Sequence, residues 1–96
     1  MYDSKLRNAE TDALFRAILS LKTEEDCYRF FEDVCTIKEI RDIAQRLEVA
    51  RLLKSGDTVA SIAQRTGAST TTVSRVNRCL QYGSGGYALV LSDEEK

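Results

Sequence analysis

Residues 58–82 gather Thr58, Ser69, Thr70, Thr71, Thr72, Ser74, Arg75 and Arg78 into one stretch that holds three arginines and no carboxylate. Short hydroxyls and guanidinium forks donate hydrogen bonds to phosphate oxygens and to base edges, so the chemistry open to this stretch is recognition of double-stranded DNA. Catalysis is not expected. The chain has no histidine, and its acids nowhere join a base and a nucleophile in a recognisable constellation. Cys27, Cys35 and Cys79 are odd in number, widely spaced and without histidine partners, which excludes a zinc cluster or a Cys–His pair. The expectation for them is three buried, small apolar residues in a reducing compartment. No metal and no resident cofactor is expected.

Side chains that read DNA must stand on something rigid, and the spacing around them supplies it. Ile62 and Ala63 fall on one face of a short helix that Thr58 can cap. Gly67 offers the backbone freedom of a tight turn. Ser69 can cap a second helix whose Val73, Val76 and Leu80 recur at intervals of three and four. Ala63 is small enough for the two helices to cross closely, and the valines fill the angle between them. Thr70, Thr71, Ser74, Arg75 and Arg78 are left on the outer face. The pattern predicts a helix-turn-helix over about residues 58–82. A purely structural helical hairpin is the competing reading. The small residue, the glycine and the valines agree in phase, and the acids are missing from the same segment; together these favour DNA.

Net charge over the 96 residues is only -1, yet it is unevenly distributed. Residues 1–37 carry five basic and eight acidic groups, residues 38–57 five and four, and residues 58–91 three and none. Positive charge therefore collects where the motif lies, while the acidic front half reads as a solvated helical surface.

The remaining elements are helical as well. Proline is absent and glycine is sparse before residue 83. Ala13, Leu14, Ala17, Ile18 and Leu21 form a stripe on a helix over 9–21. Thr23 opens a second helix with Glu24, Glu25 and Asp26 in its first turn, and Tyr28, Phe30 and Phe31 are expected as its core aromatics. Thr36 and Glu39 are placed as a capping box for the longest helix, which runs to about Lys54 with Ile37, Ile40, Ile43, Ala44, Leu47, Ala50 and Leu53 along one side. Ser55, Gly56 and Asp57 stop it. Gly83 to Gly86 read as a flexible link that ends the recognition helix, and residues 87–91 as an apolar patch that docks on the core or on a second chain.

These elements make one all-α domain over 1–91, with dimerisation helices at about 9–54, the helix-turn-helix at about 58–82, and a tail at 92–96. So many apolar side chains on so short a chain imply a homodimer. With no leader-like segment and no apolar run near the ~18 residues of a membrane span, the expected location is cytoplasmic and no membrane partner is expected.

Thr36, residues 46–56, and the pattern Gly67-Ala68-(x)3-Thr72-Val73-Ser74-Arg75-(x)-Asn77 resemble the Trp repressor superfamily, and within it the YerC/YecD-like subgroup, over about residues 30–80. The resemblance implies a Trp-repressor-like, intertwined homodimer whose first helices interlock and whose helix-turn-helix reads DNA. It further implies an amino-acid corepressor site in which Arg46 and Arg75 flank the ligand ring and Thr72 lines the pocket. Val76 and Cys79 depart from the glycine and serine of the tryptophan-binding members, which argues against tryptophan as the ligand. The function expected is a sequence-specific transcriptional regulator, acting as a repressor on a palindromic operator. The alternative is a helix-turn-helix that targets a protein partner.

Overall fold

The computed structural model describes residues 2–92, so the expected tail lies, beyond Ser92, outside the described residues. Six helices follow one another: α1 (Ala9–Leu19), α2 (Glu24–Val34), α3 (Ile37–Lys54), α4 (Val59–Thr66), α5 (Thr70–Tyr82) and α6 (Gly86–Leu91). No strand occurs among the described residues. The chain divides into two compact units, residues 1–37 and 38–96.

In the first unit, each helix starts where a side chain can take a free amide. Asn8 Oδ1 accepts from the Thr11 amide at 2.8 Å, and Thr23 Oγ1 accepts from the Asp26 amide at 3.0 Å. Asp26 returns the bond, its carboxylate accepting from the Lys22 amide at 3.1 Å. Helix α1 ends at Leu19, short of Leu21, because Ser20 turns back on it, its hydroxyl donating to the Ala17 carbonyl at 2.6 Å. Neither helix buries a side chain fully.

That exposure corrects two expectations. Tyr28 is 64% exposed rather than a core aromatic, and Phe30 and Phe31 are half-buried, meeting edge to face at 5.3 Å between centroids. Cys27 is exposed and Cys35 half-buried. The physical reason is common to both: within the unit of residues 1–37, neither α1 nor α2 buries a side chain fully, so the apolar surface of α2 stays partly open.

The second unit holds the core. Val49, Ala50 and Leu52 of α3, Ile62 of α4, Ala68 of the turn, Val73 and Val76 of α5 and Leu91 of α6 are buried together, with Leu53, Ala63, Leu80 and Tyr87 packed at the margin. Helix α3 has two apolar faces rather than the single stripe expected. Its last turns present Val49 and Leu52 to the helix-turn-helix. Ile37, Ile43 and Leu47 of the expected stripe stay exposed, and Ala50 alone of that stripe is buried.

Gly56, at φ 95°, ends α3 in a conformation that side chains with a Cβ disfavour. Beyond it Asp57 accepts a bond from Arg65 and ties the approach of α4 to that helix's last turn. Gln45 of α3 donates to the Thr66 carbonyl at 3.2 Å. The Arg51 guanidinium grips Glu48 through two bonds, at 3.0 and 2.5 Å. That hydrogen bonding, the largest influence, holds the Glu48 carboxyl below its ordinary range against the opposing effect of burial, with the charges of Arg51 and Arg65 adding to the lowering.

The Gly83–Gly86 stretch is a built joint rather than a loose link. The Gly83 amide donates to the Cys79 carbonyl at 2.9 Å, and a Cβ at Gly83 would collide with that same carbonyl. Gly85, at φ 83°, then starts α6. The apolar patch after it is thus a helix, and it docks on the core through Leu91.

Candidate nucleic-acid interface

The two helices of the motif are held by a chain of short local bonds. Thr58 Oγ1 accepts from the Ser61 amide at 3.1 Å and starts α4. At its far end Gly67 adopts φ 78°, its amide donating to the Ala63 carbonyl at 3.0 Å. Thr66 Oγ1 donates to the Ile62 carbonyl at 2.7 Å and accepts from the Ala68 amide at 3.1 Å. The turn is therefore satisfied internally, and Ala68 can be buried within it without an orphaned amide.

Ser69 then caps α5. Its hydroxyl accepts from the Thr72 amide and donates to Thr72 Oγ1, each at 3.0 Å. Ser69→Ala is expected to lower stability by about 1 kcal/mol, read as a shift of the denaturant midpoint at constant slope. A midpoint that does not move would show that this bond contributes nothing to the helix start.

The eight residues expected to meet DNA fall into two groups. Thr70, Thr71, Ser74, Arg75 and Arg78 line one open groove of about 430 Å³. Thr58, Ser69 and Thr72 lie outside its lining and serve first as caps or cap partners. The side chains of the five groove residues make no hydrogen bond to the rest of the described chain. Arg75 and Arg78 also have no carboxylate partner among the described residues, whereas Arg65, the third arginine of the segment, is neutralised by Asp57. Free positive charge is thus carried by α5. Its 13 residues add the positive end of a helix dipole close to Thr70 and Thr71. Such an edge suits phosphate anchoring and base-edge reading together.

Behind that edge lies a smaller recess of about 290 Å³ lined by Arg46, Thr72, Arg75, Val76, Cys79 and Tyr87. The three residues singled out by resemblance, Arg46, Thr72 and Arg75, do meet there. Cys79 is exposed beside them instead of buried, because α5 turns that position away from the core. Tyr87 is the lining residue that sequence reasoning missed. The signal available was an aromatic directly after the glycine joint, but nothing local said that the chain folds back onto α5. Among the described residues no group of acids and cysteines could hold a metal ion, and no helix is long and apolar enough to cross a membrane.

The comparisons with known proteins agree with the all-helical fold. The profile of the family described as Trp repressor protein matches residues 9–95. YerC of Bacillus subtilis strain 168, itself uncharacterized, is 58% identical over 91 residues, covering 95% of this chain and 88% of YerC. A crystal structure of a Trp repressor candidate from Staphylococcus aureus superposes with a TM-score of 0.90 at 50% identity, over 95% of this chain and 91% of that one. A TrpR-like protein from Eubacterium eligens ATCC 27750 also superposes with a TM-score of 0.90, at 52% identity, over 95% of this chain and 94% of the other.

Proposed function

This chain belongs to the Trp repressor family of DNA-binding, non-enzymatic regulators, and we propose that it is a dimeric repressor that recognises a palindromic operator. The observation that carries the reading is the groove on α5, where Thr70, Thr71, Ser74, Arg75 and Arg78 stand together with no acid among them. Arg75 and the hydroxyls anchor phosphates, and Arg78, further along the helix, reads a base edge.

Dimerisation is supported by what the single chain leaves uncovered. Leu14, Phe15, Leu19, Tyr28, Val34, Ile37, Ile43 and Leu47, all on α1 to α3, are exposed and available for a partner chain to cover. A two-fold dimer that covers them would present two copies of α5, and insertion into successive major grooves requires those copies about 34 Å apart.

Titrating the purified protein against a DNA pool selected by the protein itself tests the proposal. Affinity should fall steeply as salt rises from about 50 to 200 mM, by a factor that grows with each phosphate contact released. Binding that ignores salt, or its absence for a protein shown to be dimeric, overturns the reading. Retention of a protein partner from DNA-depleted lysate in place of DNA would favour a targeting role for the helix-turn-helix.

A further inference from the structure

Of the three arginines in residues 58–82, one is withheld from the surface charge of the motif. Arg65 stands on the last turn of α4 with its side chain 56% exposed, and its guanidinium is bound to the Asp57 carboxylate. Asp57 is itself fixed: its amide donates to the Leu52 carbonyl at 3.2 Å, and its side chain is only 27% exposed. The pair forms within one chain, so a DNA phosphate that met Arg65 would have to displace a carboxylate already in place.

The surroundings show what that acid offsets. Arg41, Glu48, Arg65 and Thr66 line an open cavity of about 420 Å³ between α3 and α4. Glu48 is gripped by Arg51 and Arg65 by Asp57, while Arg41 has no carboxylate partner among the described residues. The cavity thus keeps one uncompensated positive charge, and loss of Asp57 would add a second. At Thr66 it adjoins the turn that leads into Thr70, the first residue of α5 and part of the reading groove. In a helix-turn-helix the first helix crosses the DNA backbone while the second enters the groove, so a free cation on α4 has phosphates within its field.

Resting on the DNA-binding reading above, we propose that Asp57 is a built-in brake on DNA affinity, holding Arg65 away from the phosphate backbone. Phosphate contacts carry no sequence information. A third working arginine would tighten the grip on every stretch of DNA alike, and the protein would be drawn onto the excess of non-specific sites. With the brake on, Arg75 and Arg78, which stand among the hydroxyls of α5, dominate the contact.

Asp57→Asn tests the inference, with Asp57→Ser as a second way to remove the carboxylate and circular dichroism to check the fold. Measured by fluorescence anisotropy on the selected DNA at constant salt, each should bind roughly tenfold more tightly than the unaltered protein. The salt slope should steepen by about 0.9 per chain, the signature of one more phosphate contact. On DNA of unrelated sequence the gain should be as large. Adding Arg65→Ala to Asp57→Asn should abolish it. Glu25→Gln, which frees Arg29 on α2 by the same change in net charge, is the control and should leave affinity and slope unchanged.

No gain, or a weaker hold, in the folded Asp57 variants overturns the inference. A gain that survives the loss of Arg65 also overturns it, assigning the effect to repulsion by Asp57 itself, as does a gain that Glu25→Gln matches. If the unaltered protein binds no DNA, the regulator reading fails, and this inference with it; if it binds and the Asp57 variants bind no tighter, this inference fails alone.

Discussion

Arg78→Ala is expected to weaken operator binding by about 1 to 3 kcal/mol for each half-site while leaving the fold intact. Arg78 is exposed, lines the groove and has no carboxylate partner among the described residues, so its removal orphans no buried group. In a dimer both half-sites lose the side chain at once, so the change is large against the ordinary gap between specific and non-specific binding. Fluorescence anisotropy on the selected DNA measures it, and the salt slope says what was lost. A base-reading Arg78 leaves the slope unchanged and relaxes the preference at one position of each half-site. A phosphate-binding one lowers the slope by about one unit per chain and leaves the preference alone. Unaltered affinity with intact circular dichroism would remove Arg78 from the reading edge.

Ile62→Ala should cost the fold about 2 to 5 kcal/mol. Ile62 is fully buried at the crossing of α4 and α5, among Val49, Val73 and Val76, and α4 has no other fully buried side chain. Truncation removes the transfer energy of its outer carbons and leaves a void that neighbours on three helices close only in part. For a chain of this size the loss is a large part of total stability and should lower the melting midpoint by about 8 °C or more, at about 4–8 °C per kcal/mol. Denaturant titration at fixed protein concentration checks it. A cost under about 1 kcal/mol would mean that the angle between α4 and α5 is set elsewhere.

The helix-turn-helix was legible because each of its devices is local. Thr58 and Ser69 reach amides three residues on, Gly67 takes φ 78° at the turn, and the valines lie within two turns of helix. The groove followed, since residues 70, 71, 74, 75 and 78 share a face once α5 exists. Features that depend on remote parts of the chain were misread. Val49 and Leu52 fall off the period of the main stripe on α3, and their burial is decided by α4, α5 and α6. The longer stripe was read as one apolar side of the helix, and its Ile37, Ile43 and Leu47 are exposed in one chain. Apolar periodicity says that a face will be covered and not by which molecule.

The same limit explains Cys79 and Tyr87. A small thiol on a helix reads as filler, and only the return of α6 reveals that position as the wall of a recess. Residues 87–91 were too few to assign by period. Their helix is set by two glycine requirements, the steric one at Gly83 and the positive φ at Gly85, together with the anchoring of Leu91 in the core. Arg65 entered the charge tally of the segment, though not the set of binding residues, because the tally began at residue 58, one position past the aspartate that neutralises it.

The division of labour among the hydroxyls of α5 carries a further consequence. Ser69 and Thr72 hold the helix start, while Thr70, Thr71 and Ser74 support nothing within the described chain. Codons for the latter three are thus free to drift without harm to folding. After a gene duplication, a few changes there would let the daughter copy address a different set of promoters while its scaffold is inherited whole.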